Sequence, residues 1–515
     1  MTLVDVNLIA KYLDEESKEN ANKFESYTKL RGFVADTYIQ NWALDEIYPD
    51  AIVRAHKNAD FHIHNLSDAL VPYCKGHDAT KILVKGLITQ TVVAGTPKHL
   101  SSFFDQLVNL IATSQQSWAG AQAIANLNTL AAPFVRKYMN MLKEEYGITD
   151  KKKLIELTYK YVLQCVQSFI YNLNFPSRAG SQTPFSNIIF NFKCPEPLRD
   201  DPVLNDGCTG TWGDYEEEAK MIIRAFNEVF YKGDKAGRPF TFPIVTVNLL
   251  PDTDYEDPLF LEMMKTQLKF GTYSFFNYDG TKIDPNTILS MCCRLAIDLS
   301  EVASAGGRWA YAGETGSIGV VTLNLPRLGY LSENVEDFYS RLNNILNLAK
   351  ISLVIKGLFI EQRKDRFMPL DVTYETDLSK FFRTIGLVGI NEMCINMFGT
   401  PIKDNIDFVE EFLLYLKDWA RKAQQETGVL WNIEMTPAEG CSPRFAEKDK
   451  ILYGDKIFAQ GVEGSWYYTA MLTASNDEMT IAERIAIEEK LLMLFSGGTV
   501  HRIYVGNNQT TPQAL

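Results

Sequence analysis

The chain contains no C-x-x-C pair, and its eight cysteines, Cys74, Cys165, Cys194, Cys208, Cys292, Cys293, Cys394 and Cys441, are scattered over 515 residues. That spacing excludes a disulfide-dense scaffold and disfavours structural zinc, so no metal is expected in this chain. Each cysteine is by default a small buried apolar side chain. An uninterrupted apolar run of the roughly 18 residues that a membrane helix needs is also missing. The nearest, 351–360, is interrupted by Lys356. The opening Met1-Thr2-Leu3-Val4-Asp5 lacks the basic and apolar regions of a signal peptide, so a cytoplasmic protein without membrane contact is expected. Positive charge is in deficit as well. With 64 Asp plus Glu against 51 Lys plus Arg and a net charge of −13, no global field exists to hold a nucleic-acid backbone. Any phosphate must be held locally, by backbone N–H groups and one or two basic side chains.

What is present is the balance of a folded protein, 46% hydrophobic and 22% charged. Apolar residues recur at three- and four-residue spacing over 151–172, 215–231, 335–362, 406–425 and 481–495, which predicts helices. Short β-like runs lie between them at 60–66, 187–192, 240–249, 318–325, 429–435 and 499–505. Alternating helices and strands predict an α/β architecture with largely parallel strands. No Pro/Ser-rich linker, low-complexity tract or internal repeat divides the chain, so residues 1–515 are expected to form a single domain.

Five segments have the residue types for chemistry. Cys292-Cys293 sits among turn residues; neighbouring side chains point in different directions, so a functional thiol competes with a pair of small core residues. The polar stretch from Asn174 through Ser177, Arg178, Ser181 and Gln182 to Asn187 joins a helix to a strand. It can hold a ribose or phosphates, or simply cap a connection. Thr436-Pro437-Ala438-Glu439-Gly440 follows an apolar strand and precedes a helix-like run; it suits a phosphate cradle and equally an ordinary turn with an N-cap. His62-Ile63-His64 puts two imidazoles on one strand face, for a metal or for fixed hydrogen bonds. The Gly-rich stretch Gly313-Glu314-Thr315-Gly316-Ser317-Ile318-Gly319 is not a P-loop, because the Gly-Lys-Ser/Thr tail is missing.

Taken together and in order, Asn174-Phe175-Pro176-Ser177-Arg178, Gln182-Thr183-Pro184-Phe185, Met291-Cys292-Cys293-Arg294, Thr315-Gly316-Ser317-Ile318-Gly319-Val320-Val321, Asn324-Leu325-Pro326-Arg327, Gly386-Leu387-Val388-Gly389-Ile390-Asn391-Glu392 and Thr436-Pro437-Ala438-Glu439-Gly440 resemble the anaerobic (class III, glycyl-radical) ribonucleotide reductases. The resemblance runs from about residue 20 to the end and includes His62-Ile63-His64. It implies a ten-stranded α/β barrel built of two five-stranded halves around a central finger loop. It implies reduction of ribonucleoside triphosphates to 2′-deoxyribonucleoside triphosphates, with Cys293 as the thiyl that abstracts the ribose 3′-hydrogen and the 2′-hydroxyl leaving as water.

Further implications concern the site and its partners. The substrate would rest on Ser177, Arg178, Gln182, Thr436, Ala438, Glu439 and Gly440, with Cys74 as the opposing barrel cysteine. The reductant would be formate or a redoxin; Ser317 stands where formate-using members carry Asn, and Cys292 and Cys394 suggest thiols. A homodimer, dNTP or ATP effectors, and a glycyl radical made by an S-adenosylmethionine iron–sulfur activase are also implied. The stretch 122–126, read as helical, resembles the region near the family's dimer interface. The family's C-terminal zinc module and Arg-Val-x-Gly-Tyr glycyl loop do not occur, nor does an N-terminal ATP-cone. The expectation is a piece of a longer chain, a split gene with a separate glycyl-radical polypeptide, or a relative without catalysis. Two other readings stay open: a catalytically silent nucleotide-binding barrel, and a glycyl-radical relative with another substrate, against which the phosphate-suited turn argues.

Overall fold

The structure, a computed structural model, describes residues 8–9, 12, 26–177, 182–278, 288–290, 296–298, 314–438, 440–474, 476, 478–496, 498–503 and 511–512. Two helices, α1 (Tyr27–Glu46) and α2 (Asp50–Asn58), lead into strands β1 (Phe61–Ile63) and β2 (Cys74–His77). Next come α3 (Leu100–Ser114), β3 (Gln122–Ile124), α4 (Leu127–Glu144), α5 (Lys151–Leu173), β4 (Ser186–Asn191), α6 (Glu216–Lys232), β5 (Ile244–Leu249), α7 (Pro258–Phe270) and β6 (Tyr273–Asn277). After the small hairpin β7 (Ile288–Ser290) and β8 (Ala296–Asp298), the chain continues through β9 (Thr315–Asn324), α8 (Leu325–Leu331), α9 (Val335–Glu361), β10 (Phe381–Val388), α10 (Ile390–Phe398), α11 (Ile406–Thr427) and β11 (Trp431–Met435). Helices α12 (Cys441–Tyr453) and α13 (Ile481–Leu492) follow.

Local chemistry sets the helix ends. Asp150 and Asn334 accept from backbone amides as N-caps of α5 and α9, while Thr480 and Glu483 form a reciprocal capping box on α13. Helix α11 stops at Gly428, which takes the left-handed conformation that favours glycine.

The strands form one mixed sheet of two parallel sets. Strands β2, β3, β4, β5 and β6 run parallel in that order, as do β9, β10 and β11, and the sets join where β2 lies antiparallel to β9. Strand β1 pairs with the same edge of β9, further along. Two parallel sets joined antiparallel are the halves that the resemblance implies. Among the described residues the sheet has nine strands rather than ten, and its end strands β6 and β11 are not hydrogen-bonded to each other.

Helices cover one face of each set. Ile188, Phe190, Val245 and Val247 pack with Phe104, Phe169 and Phe226 of α3, α5 and α6. In the other set Val321, Leu323, Ile385, Leu387, Ile433 and Met435 pack with Leu346, Leu353, Phe412 and Leu416 of α9 and α11. By length and composition α9 could cross a membrane, yet its Leu342, Leu346, Ala349 and Leu353 are buried in this layer.

All five predicted helices form, the last ending at Leu492 instead of 495. Three further readings, one of a helix and two of strands, need correction. Residues 122–126 are not helical: Gln122–Ile124 is strand β3, and Asn126, at positive φ, caps α4. The 240–249 run is strand only from Ile244. Residues 499–503 form no strand; the preceding Gly498 accepts from Met435 N at 3.1 Å and Ser496 from Ile433 N at 3.0 Å, so the segment follows β11 without a ladder.

Candidate active site on the inner face of the sheet

Because successive side chains of a strand point to opposite faces, the residues between those apolar positions face away from the helices. They are polar and buried: Thr322 and Asn324 on β9, Thr384 on β10, Asn432 and Glu434 on β11, Asn187 on β4 and Thr246 on β5, and Ser317 joins them, its hydroxyl 3.1 Å from that of Thr384, because the β9–β10 register shifts between Phe382 and Arg383. A sheet apolar toward its helices and polar on its other face has an interior built for a polar ligand. The two sets meet on that inner face, where Cys74, Ala123 and Ile189 cluster with Phe382 and Leu430. Both polar side-chain atoms of Asn432 are buried and have no partner among the described residues. Such groups normally find a partner, so Asn432 offers a donor and an acceptor to a ligand.

Cys74 stands at the start of β2, opposite Ser317 of β9. Two glycines let the backbone close around it. A Cβ on Gly316 would lie 2.0 Å from the Cys74 carbonyl oxygen, and one on Gly120 would lie 2.5 Å from its Sγ. The Gly-rich stretch is therefore mostly strand, with glycine where β2 presses against β9. The Ala121 amide donates to the Cys74 sulfur at 3.3 Å.

At the other end of the same face lies the Thr436 turn. Thr436 is held by Leu387, whose carbonyl accepts from its amide at 3.2 Å, and its hydroxyl sits 3.0 Å from that of Thr322. Gly386 lies between: a Cβ there would come within 2.4 Å of Thr322 Oγ1 and 2.5 Å of Thr436 Cγ2. The turn continues through Ala438, at a φ of 56°, to the exposed Gly440, which precedes α12 with no side-chain cap. In its first turn the Ser442 amide donates to the Ala438 carbonyl at 2.8 Å and Pro443 has no N–H, so what the helix start offers a phosphate is the Cys441 amide and the positive end of the helix dipole.

Imidazoles flank this turn. His64 Nε2 lies 2.7 Å from Thr322 Oγ1, His62 Nδ1 lies 3.4 Å from Arg444 Nη1, and Arg444 also donates to the His56 carbonyl. The His62 and His64 rings meet edge-on at 4.8 Å. Burial, helped by its charged neighbours, pushes His64 down to about 4 and His62 well below the usual imidazole range, so both are neutral at physiological pH. Among the described residues no group of three His, Cys, Asp or Glu side chains is placed to hold a metal ion. Cys441, the first residue of α12, is buried, and burial pushes its thiol up to about 12 although the Thr322 hydroxyl opposes the shift.

Not every residue singled out in the sequence reaches this face. Cys394, expected as a redox thiol, is packed on the helix side among apolar residues, and burial pushes it up to about 12. It is a core side chain there, apart from the cluster that contains Cys74. Ser177 is exposed and Gln182 half-buried at the two ends of the polar loop, while Arg178, Glu439, Cys292 and Cys293 lie outside the described residues. Asn324 and Arg327 of the Asn-Leu-Pro-Arg segment form a bracket. Arg327 Nε donates to Asp449 at 2.6 Å and Nη1 to Asp60 at 2.8 Å, while Asn324 and the Tyr468 hydroxyl donate to the other oxygen of Asp449 at 2.9 and 2.8 Å. Thr322, Thr384, Asn432 and Glu434 were missed by sequence reasoning. Trp-Asn-Ile-Glu-Met at 431–435 carried the signal, an apolar/polar alternation that continues to Thr436.

Known proteins match this arrangement. The family profile of anaerobic ribonucleoside-triphosphate reductases matches residues 19–515. The anaerobic ribonucleoside-triphosphate reductases of Haemophilus influenzae and Escherichia coli are 24% and 25% identical over 491 and 494 residues, 88% of this chain in each case. The chain spans 65% and 64% of the length of these two relatives. A crystal structure of the anaerobic ribonucleotide reductase from Thermotoga maritima with citrate in the active site superposes with a TM-score of 0.76 at 22% identity, covering 99% of this chain and 91% of that one. That likeness establishes the α/β fold, and the profile match establishes descent: the chain belongs to the anaerobic ribonucleoside-triphosphate reductase family.

Proposed function

We propose that this chain reduces ribonucleoside triphosphates to 2′-deoxyribonucleoside triphosphates by thiyl-radical chemistry. The observation that carries the reading, in a member of this family, is the uncapped Thr436–Gly440 turn at the end of a buried polar sheet face. Triphosphate would lie on the turn, with Thr436, Ala438, Glu439 and Gly440 around it, and the ribose would extend along the inner face toward Cys74. Ser177, Arg178 and Gln182 would contact the nucleotide from the polar loop.

Cys293, outside the described residues, would take the 3′-hydrogen, forming S–H as C–H breaks. Loss of the 2′-hydroxyl as water leaves two electrons to be supplied, by formate or by thiols that a redoxin re-reduces. Cys292 belongs with Cys293, and Cys74 would oppose it. A glycyl radical, made by an S-adenosylmethionine iron–sulfur activase on a tail or partner polypeptide, supplies the oxidising equivalent when present. Solved Thermotoga maritima relatives carry dATP in a specificity site, or dATP and CTP together, which supports proposing deoxynucleotide or ATP effectors here, with a homodimer in the cytoplasm as the working form.

Calorimetry tests the phosphate end directly. Each ribonucleoside triphosphate should bind at least about tenfold more tightly than its nucleoside, a difference of ~1.4 kcal/mol. Equal affinities across all four pairs would remove the cradle.

A further inference from the structure

Cys74 is fully buried, and its sulfur is met by a short segment, residues 118–121, that runs beside the start of β2. The Ala119 amide donates to the Pro72 carbonyl at 2.9 Å and the Gly120 amide to the Tyr73 carbonyl at 2.6 Å, while the Lys75 amide donates to the Ala121 carbonyl at 3.0 Å. Within that ladder the Ala121 amide turns to the sulfur itself at 3.3 Å, and a Cβ on Gly120 would lie only 2.5 Å from Sγ. Sulfur is a weak acceptor, so this contact does not hold itself. Something must press the two segments together.

The side chains on the other face of β2 supply the grip. Lys75, next to Cys74 and therefore pointing the opposite way, is 2% exposed. Its Nζ donates to Asp371 Oδ1 at 2.6 Å and to Thr376 Oγ1 at 3.0 Å, and lies 3.3 Å from Glu314 Oε1. The second oxygen of Asp371 takes its donor from the other segment: Trp118 Nε1 donates to Oδ2 at 3.0 Å. Asp371, on the short helix Pro369–Thr373, is completely buried, so a single carboxylate ties the residue after Cys74 to the residue that opens 118–121. Lys81, 2.9 Å from Glu314, balances the second carboxylate, and His77, pushed down to about 4 by burial and then by Lys75, adds no charge. Burying such a cluster yields little net stability, because desolvation offsets the attraction; what it fixes is geometry.

We infer that Asp371 is the positioning residue of Cys74: with one oxygen on Lys75 and the other on Trp118, it holds the Ala121 amide against the Cys74 sulfur. The clamp itself involves no covalent or redox step. Its use rests on the proposed reductase chemistry, in which Cys74 is the thiol opposing Cys293 and an N–H at sulfur favours the anionic, electron-donating form; its existence does not.

Trp118→Phe tests the clamp with the least disturbance, because an aromatic ring remains and the donor to Oδ2 is lost. Hydrogen exchange of the full chain, read by mass spectrometry, should show the amides of 119–121 exchanging at least about tenfold faster than in the wild type, with helices α5 and α11 unchanged. Asp371→Asn keeps an acceptor for only one of the two donors; it should act in the same way, and it serves if Trp118→Phe fails to fold. Phe381→Leu removes a ring packed on Trp118, with centroids 5.1 Å apart, but none of the carboxylate's partners, and should leave 119–121 at the wild-type rate. In a radical-reconstituted reductase Trp118→Phe should lower kcat at least about tenfold with KM for the ribonucleoside triphosphate unchanged. Exchange at 119–121 that stays at the wild-type rate in Trp118→Phe and Asp371→Asn, or that rises equally in Phe381→Leu or over the whole chain, overturns the clamp. Faster exchange there with kcat unchanged overturns its part in turnover. The exchange measurement needs no activity, so a folded wild-type chain that does not turn over counts against the reductase reading and not against the clamp.

Discussion

Lys356 occupies a core position of α9, four residues before Ile360 and three after Leu353, both buried. Its pKa falls from 10.5 to about 8 on burial, so the folded state binds fewer protons than the unfolded chain between those values and stability rises with pH across that window. Below about pH 8 the full penalty stands, about 3 kcal/mol. Lys356→Met keeps the volume and removes the charge. It should therefore unfold at higher urea than the wild type at pH 7, with the advantage fading to nothing near pH 10.5. A variant less stable at pH 7 would show that the ammonium is well compensated. The lysine was visible in the sequence only as a break in the apolar stretch 351–360. The helical period gave the sharper signal, because a charge at a core-facing step must meet something polar across the interface.

At the scale of elements, long helices were legible because α5, α9 and α11 repeat their apolar positions over many turns. Strand β2 was not, since Cys-Lys-Gly-His buries all four residues and shows no alternation. Its Lys75 is buried because Asp371 at 2.6 Å and Glu314 at 3.3 Å meet it on the far side of the strand, partners almost 300 and 240 residues away. Strand β3, three residues long, is specified by its neighbours β2 and β4 instead of by its own residues. The Asn324–Arg327 segment was legible as a family motif, yet its work is structural. It ties β9 and α8 to α12 through Asp449. Asp449→Asn would leave the Arg327 guanidinium buried with Asp60 alone, and should lower stability by about 3 kcal/mol in urea with an unchanged slope. An unchanged midpoint would mean that Asp60 suffices.

For the whole molecule, the division into an apolar helix-side face and a polar inner face is what makes the sheet a container. Half of that division was readable. Strand 431–435 and His62-Ile63-His64 show it in their alternation, whereas the approach of Thr322 to Thr436 depends on Gly386, more than 60 residues beyond Thr322 and 50 before Thr436. No local pattern encodes such a meeting, because it is made by strand order. The Thr436 turn was legible as a strand–turn–helix junction, and its orientation beside the polar face came only with the fold.

The most direct measurement is anaerobic turnover. The chain, supplied with an activated glycyl-radical segment or partner and a formate or thiol reductant, is incubated with ribonucleoside triphosphates and the products are separated by chromatography. The expected result is 2′-deoxyribonucleoside triphosphate from the wild type and none from Cys293→Ser, since oxygen cannot replace sulfur as a reversible hydrogen-abstracting centre. Deoxynucleotide formed at the wild-type rate by Cys293→Ser, or none from a folded wild-type chain that binds triphosphate and is paired with a radical-bearing partner, would contradict the reductase assignment.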